Sequence, residues 1–462
     1  QATGVSIASR RLERGVLFVA LNDRRDGHDF VADALQKGAA AAMVSRVPPD
    51  VAQDAPLLVV PEVLEGLRAL GGAARARAAA QVVAITGSVG KTSTKDMLRL
   101  MLAAQGRAHA AQNSFNNHWG VPLDLARLPP DADFAVLEIG MNHPGEISPL
   151  ARLVRPDIAL ITEIAPAHLQ AFADINAIAR EKAAIFDGLQ TGGVAVINAD
   201  LPPEIAAILL AAAKKAKAEI LRFGAHPDAD FRLVSVRLVD DRIVVQATHS
   251  KGELLFKVMS AGRHFAHLAL GALAAVHALG ADVTIAANDL AQWRPGPGRG
   301  MRETVFLDAA DDRLTLSLLD DAYNANPASM AAALAVLAAS QPCDDVGRVR
   351  HGRRIAVLGD MLELGANAVQ MHKDLARLEA MNAIDTVHCV GPDMHELYRE
   401  LAAHQRGEWR ETAAGLADEM HRHVDAGDII LVKGSQGSRV SIVVDAIRKL
   451  GHPQAQTEKG KQ

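Results

Sequence analysis

Short apolar runs, separated by polar loops and helical patterns, divide the chain into three stretches. Over residues 1–79, brief runs such as VLFVAL, AAAMVS and PLLVVP alternate with turns rich in Gly and Asp, and LRALGGAARARAAA closes the stretch as an Ala/Arg helix. From Gln81 the pace changes to apolar strand, polar loop and amphipathic helix, with QVVAIT, DFAVLEIG, DIALITEI and GVAVINAD as the strands. Runs that are apolar throughout predict strands buried on both faces of a parallel sheet. Residues 220–260 alternate more strictly, as in FRLVSVRLVDDRIVVQAT, and predict an antiparallel extension. A Gly/Pro-rich joint, WRPGPGRGMRE (residues 293–303), precedes a third stretch where the strand-loop-helix pace returns. The pattern predicts an α/β protein of three domains: a small N-terminal α/β domain over 1–79, a central parallel-sheet domain over 80–300, and a C-terminal doubly wound, Rossmann-like domain over 301–462. The tail, GHPQAQTEKGKQ, is polar and expected to be unstructured.

The central stretch holds AITGSVGKTSTKDML, residues 84–98. It reads as a buried strand, a glycine turn and a helix over 91–103. The strict phosphate-loop spacing wants a glycine at Ile85, so this is a shortened form, Gly87-x-x-Gly90-Lys91-Thr92. Backbone N–H groups at a strand-to-helix turn converge on an anion, and the helix dipole adds to the attraction. Gly87, Ser88, Val89, Gly90, Lys91, Thr92 and Ser93 are the expected ATP-binding loop, with Lys91 reaching the β/γ-phosphates and Thr92 holding Mg²⁺. The alternative is a glycine turn with a surface lysine. The order of strand, glycines, Lys-Thr and helix favours the nucleotide.

Composition narrows the partner. A chain of 462 residues exceeds one ordinary core, and a formal net charge of −5 with 3% aromatic residues argues against a nucleic-acid surface. Two cysteines, Cys343 and Cys389, make neither a disulfide framework nor a four-thiolate metal site, which suits a reducing cytoplasm. The richest apolar stretch, LALGALAAVHALGA, is interrupted by His277 and too short to span a bilayer. The opening QATGVSIASRRLERG lacks a charged-then-apolar signal layout. The expectation is a cytoplasmic monomer acting on small molecules.

Ligand groups in open α/β sheets lie at the carboxyl ends of strands. Glu138 ends DFAVLE, His168 follows DIALITEIAPA, and Lys182 lies in AIAREKAAIF. Singly, these read equally as an ion-paired surface acid, a structural histidine and a solvated helix lysine.

As a set they take on a different meaning. TGSVGKTSTKDML, NSFNNHWGVPL, LEIGMNHPGEI, APAHLQAF, AREKAAIF, PGRG and DDAYNANPASM, in that order, resemble the Mur ligases of peptidoglycan synthesis. NSFNNHWGVPL and DDAYNANPASM are similar to the branch of that family that adds D-alanyl-D-alanine (D-Ala-D-Ala) to UDP-N-acetylmuramoyl-tripeptide. The likeness runs from GVSIASR to KGSQGSR, nearly the whole chain. It implies an ATP-dependent amide-bond ligase: ATP phosphorylates a carboxylate to an acyl phosphate, and an amine displaces phosphate. Cations must neutralise the meeting anions.

The resemblance also implies roles. Lys91, Glu138, His168 and Lys182 would be catalytic. Thr92 and Glu138 would belong to one Mg²⁺ ion, and His168 to a second. Lys182 would react with CO2 to give a carbamate, turning a cation into an anionic oxygen ligand. Ser9, Arg10, His28 and Asp29 match the grip on the UDP-sugar, and Asn113, Asn116 and Asn117 the stretch facing the stem peptide. Arg299 would approach the γ-phosphate, and Asp321, Tyr323, Asn324 and Asn326 the ribose side. Lys433, Ser435 and Arg439 are candidates for the dipeptide carboxylate, with a plain glycine turn as the alternative. Two departures stand out: Ala8 replaces the family's usual Asp, and GRHFAHLAL carries Phe265 and Leu268 where the family commonly places Asn residues for adenine. Competing functions are a catalytically silent nucleotide-binding module, a ligase adding one amino acid, and a folylpolyglutamate-type ligase.

Overall fold

Val82 and Ala84 on one face of a strand, and Val83 and Ile85 on the other, are all fully buried. That is the signature of a strand covered by helices on both sides. The computed structural model describes residues 2–10, 12–23, 25–111 and 114–452. Asn113 lies outside the described residues, as does most of the tail. Of that tail, the His452 amide is described and donates to Phe306 O at 2.8 Å.

Three sheets follow one another along the chain. The first is parallel and four-stranded, in the order β1 (Val5–Ser6), β2 (Leu17–Val19), β3 (Ala41–Val44), β4 (Leu57–Val59). The helix Val63–Arg77 leads from it to the central sheet.

The central sheet has nine strands: β5 (Gln81–Thr86), β6 (Ala108–Ala110), β7 (Phe134–Glu138), β8 (Ile158–Ile161), β9 (Val194–Asn198), β10 (Glu219–Gly224), β11 (Phe231–Val239), β12 (Arg242–His249) and β13 (Gly252–Val258). Their spatial order is β13-β12-β11-β10-β9-β8-β5-β7-β6. Pairing is parallel from β6 through β11 and antiparallel only in β11-β12-β13. The antiparallel extension read from the sequence therefore begins one strand later than its alternation suggests, because β10 still pairs in parallel with β9 and β11.

One face of this sheet buries Val83 and Ile85 against Met97, Leu98 and Met101 of the helix Lys91–Ala103 and against the apolar helix His264–Ala278. The other buries Val82 and Ala84 against Ile147, Leu150 and Ile178. The His264–Ala278 helix holds the chain's richest apolar run as core. Among the described residues no helix is long and apolar enough to cross a membrane.

The third sheet contains β14 (Met301–Phe306), β15 (Thr315–Asp321), β16 (Arg354–Gly359), β17 (Thr386–Val390), β18 (Arg406–Arg410) and β19 (Ile429–Lys433), in the order β14-β15-β19-β16-β17-β18. Only β14 is antiparallel. The last strand is inserted between β15 and β16, and this brings Asp321 and Lys433 into register as neighbours.

Candidate active site

The loop after β5 is shaped by two glycines with no room for a side chain. Gly87 has φ 154°, and a Cβ there would lie 1.9 Å from Thr162 Oγ1. Gly90 has φ 84° and begins the helix Lys91–Ala103, and a Cβ there would lie 2.5 Å from Leu268 Cδ2. The strand β8 and its following loop brace this turn from behind. Ser88 N donates to Glu163 O (2.7 Å), Thr162 Oγ1 donates to Val89 O (2.6 Å), and Ser88 Oγ both donates to Ala165 O (2.9 Å) and accepts from Ala165 N (3.0 Å). A left-handed φ disfavours any L side chain by roughly 1–2 kcal/mol. Gly90→Ala is therefore expected to weaken ATP binding by about tenfold or more, measured by calorimetry; wild-type affinity would contradict this reading of the loop.

Lys91 Nζ donates to Gly87 O at 2.8 Å, folding back over the loop. Burial pushes its pKa down, Glu138 opposes that, and Arg299 adds to it. Glu138, at the end of β7, is only 4% exposed. Thr92 Oγ1 donates to its Oε2 (2.9 Å) and Asn116 Nδ2 to its Oε1 (2.7 Å). A buried carboxylate bonded to a hydroxyl and an amide, both neutral, beside a phosphate-type loop is a set of hard oxygens that suits Mg²⁺. Thr92 Oγ1 also lies 3.2 Å from Ser114 Oγ, which accepts from Arg299 Nη2 at 3.3 Å. Arg299 stacks on the Tyr323 ring, 4.0 Å from its centroid.

Lys182 lies near this cluster on the helix Ile175–Ala183 and is 1% exposed. Burial drives its pKa well below the usual lysine value; the charge of Lys91 adds to the drop, and Glu181 opposes it. His168, in the loop after β8, adopts φ 57° and pairs through Nδ1 with Glu363 of the third domain. Among the described residues no three His, Cys, Asp or Glu side chains form a metal-binding group.

A cleft opens between the central and third domains. Ser88, Gly90 and Lys91 form one wall, Arg299 and Asp321 another, and His264, Phe265 and Leu268 the apolar floor. Lys433, 2% exposed, donates to Asp321 Oδ2 (2.8 Å) and Asn324 O (2.9 Å). Burial, helped by the charge of Lys433, lowers His264 to about 4, so its ring is neutral at pH 7. Burial raises the Asp321 carboxyl, while Lys433 pulls it back.

Two family models match the sequence that builds this site. The Mur ligase middle domain matches residues 85–276, and the Mur ligase, glutamate ligase domain matches residues 311–436. The chain is 34% identical to the UDP-N-acetylmuramoyl-tripeptide--D-alanyl-D-alanine ligase of Escherichia coli, covering 97% of this chain and 94% of that one. It is 31% identical to the enzyme of the same name from Rickettsia prowazekii, covering 96% and 94%. The chain belongs to the Mur ligases. Its three-domain α/β fold is similar to the crystal structure of MurF from Acinetobacter baumannii, with a TM-score of 0.79, 29% identity, and coverage of 96% of this chain and 93% of that one.

In this Mur ligase Ser88, Val89, Gly90, Lys91, Ser93, Arg299, Asp321, Asn324, Asn326 and Lys433 all line the one cleft. Asn326 also caps the helix Pro327–Ala339 through a capping box with Ser329. Lys433 lines the same cleft as the glycine loop and is ion-paired with Asp321. Ser435 accepts from Leu362 N (2.9 Å) and is buried, whereas Arg439 is exposed with φ 58°. Asn116 reaches Glu138, and Asn117 Oδ1 accepts from Gly120 N (2.9 Å) to start a helix. In the first domain Arg10 and Asp29 are exposed, while Ser9 and His28 are buried. Both ring nitrogens of His28 are engaged, Nδ1 with Asp26 and Nε2 with the Ser45 amide. Ser114, His264 and Glu363 are site neighbours that sequence reasoning missed. Ser114 stands inside NSFNNHWGVPL, and Glu363 follows the parallel strand RIAVLG, where the strand-end rule could have found it.

Proposed function

We infer that this Mur ligase joins D-Ala-D-Ala to the carboxylate of UDP-N-acetylmuramoyl-tripeptide in peptidoglycan synthesis, using ATP and passing through an acyl phosphate. Near-full-length identity to ligases of that specificity carries the reading. The buried Lys182, its pKa driven well down by burial and by the charge of Lys91, favours it over a silent nucleotide module, for which Lys91, Thr92 and Glu138 alone would suffice.

ATP enters the cleft with its phosphates over Gly87–Ser93 and its base toward Phe265 and Leu268. The apolar floor stacks on the base without amide hydrogen bonds from these two positions. Asp321 accepts from ribose hydroxyls, and Tyr323 and Asn324 flank that side. Lys91 leaves Gly87 O for the β/γ-phosphates, and Arg299, held near Ser114, neutralises charge on the transferred phosphoryl group. Thr92 and Glu138 would hold one Mg²⁺ ion, which supplies charge neutralisation where the substrate carboxylate meets the γ-phosphate. A second ion would draw on His168 and on Lys182 carrying a carbamate. That modification supplies the anionic oxygens a plain amine lacks, and the depressed pKa of Lys182 supplies the neutral amine that reacts with CO2.

Ser9, Arg10, His28 and Asp29 are assigned to the UDP-sugar. Arg10 is exposed for the diphosphate, and His28 acts by shaping the loop that bears Asp29. Asn113, Asn116 and Asn117 are assigned to the stem peptide, and Ser435 and Arg439 to the dipeptide. Steady-state phosphate release is expected to require both UDP-muramoyl-tripeptide and D-Ala-D-Ala. ATP hydrolysis independent of either would overturn the reading.

A further inference from the structure

The loop after β8 runs from the phosphate loop to the third domain. At its start Ala165 exchanges two hydrogen bonds with Ser88. At its far end His168 Nδ1 meets Glu363 Oε2, and Gln170 N donates to Glu363 O at 3.2 Å. A Cβ on Gly365 would come 3.2 Å from Leu169 O, so the two backbones are closely apposed. His168 and Glu363 both occupy the left-handed region, with φ 57° and 64°. L residues seldom adopt this conformation, and here two of them face each other across a domain boundary.

Beyond Glu363 the connection continues. Leu362 N donates to Ser435 Oγ (2.9 Å), Ser435 N donates to Asp360 O (3.1 Å), and Ser435 Oγ donates to Ala325 O (3.3 Å). An unbroken series of bonds therefore runs Ser88–Ala165, His168–Glu363 and Leu362–Ser435, from the phosphate loop to the KGSQGSR turn. The covalent joint between these domains is the separate Gly/Pro-rich segment 293–303, and domains so joined move unless something holds them.

We propose that Glu363 is a positioning residue for ligation: its side chain on His168 and its carbonyl on Gln170 latch the third domain at a fixed distance from the phosphate loop. An exposed ion pair alone contributes little to stability. The effect here is geometric, because the latch sets the approach of a group held by one domain to a phosphoryl group held by the other, and a misplacement near 1 Å costs about 10²-fold in rate. The kinetic part rests on the ligase reading, and the conformational part does not.

The test uses the full-length enzyme with Glu363→Gly, which keeps the left-handed backbone while removing the carboxylate, and Glu363→Gln, which keeps an acceptor for His168 Nδ1. With melting temperatures matched to wild type, Glu363→Gly is expected to lose kcat by about 10²-fold with KM for ATP unchanged, and to show a larger radius of gyration by small-angle scattering with ADP bound. Glu363→Gln should retain most of the activity and the wild-type radius. The latch is overturned if Glu363→Gly keeps wild-type kcat, if it loses kcat without a change in scattering, or if Glu363→Gln is equally impaired. If the wild-type enzyme shows no cosubstrate-dependent phosphate release, the ligase reading fails. Scattering then decides the latch alone, an expanded Glu363→Gly supporting it and an unchanged radius overturning it.

Discussion

Lys91→Ala is expected to lose ligase activity by about 10²–10³-fold, the range for removing one preorganised group that meets developing charge in a dry site. The side chain rests on Gly87 O, 2.8 Å away, within reach of the charges of the buried Glu138 carboxylate and the Arg299 guanidinium. Its charge is costly in that buried place, and a bound polyphosphate would offset the cost. Removing it leaves a carboxylate to attack a γ-phosphate with one fewer cation between them. Lys91→Arg is expected to rescue poorly, since a planar fork cannot occupy the position of a compact ammonium folded against the loop. Steady-state phosphate release, with both cosubstrates present, measures this. A loss of only a few-fold would remove Lys91 from the mechanism.

Lys182→Ala is expected to be comparably impaired, by about 10²-fold or more, and to recover partly when a short carboxylate such as formate or acetate is added. Desolvation lowers the Lys182 pKa first and the Lys91 charge lowers it further, so the neutral amine persists at pH values where an exposed lysine is an ammonium. Only the neutral amine adds to CO2, forming the N–C bond and releasing a proton. Carbamate content, and activity with it, should therefore rise as pH rises through the depressed pKa and fall below it, in a window lying under the ordinary lysine value of 10.5. The pH–rate profile at fixed CO2 gives the sign, and carboxylate rescue gives the chemistry. Full activity of Lys182→Ala without any added carboxylate would contradict the carbamate assignment.

Much of this site was legible because its parts are local. The strand Gln81–Thr86, the glycine turn and the helix Lys91–Ala103 are consecutive, and the left-handed Gly90 fixes where the helix begins. Glu138 was legible from its place at a strand end. What escaped depends on strand order. The Asp321–Lys433 pair exists because β19 is inserted between β15 and β16, and nothing in the local pattern of KGSQGSR announces that insertion. His28 looked like a ligand-facing histidine, but its ring is engaged on both sides by Asp26 and Ser45, seventeen residues away in sequence in the second case. Glu363 escaped for a different reason: its partner, His168, lies 195 residues earlier and meets it only through two unusual backbone conformations. Phe265 and Leu268, noted as departures, prove to be packed floor, and Leu268 closes over Gly90.

In the proposed reaction one oxygen of the substrate carboxylate attacks the γ-phosphate of ATP bound over Lys91 and Thr92. Its most direct test is oxygen transfer: UDP-muramoyl-tripeptide labelled with ¹⁸O in its terminal carboxylate is turned over with ATP and D-Ala-D-Ala, and the released phosphate is weighed by mass spectrometry. One ¹⁸O atom is expected in the phosphate for each amide bond formed. Unlabelled phosphate from a reaction that forms the amide, with the displaced ¹⁸O recovered in water or in another product, would contradict it.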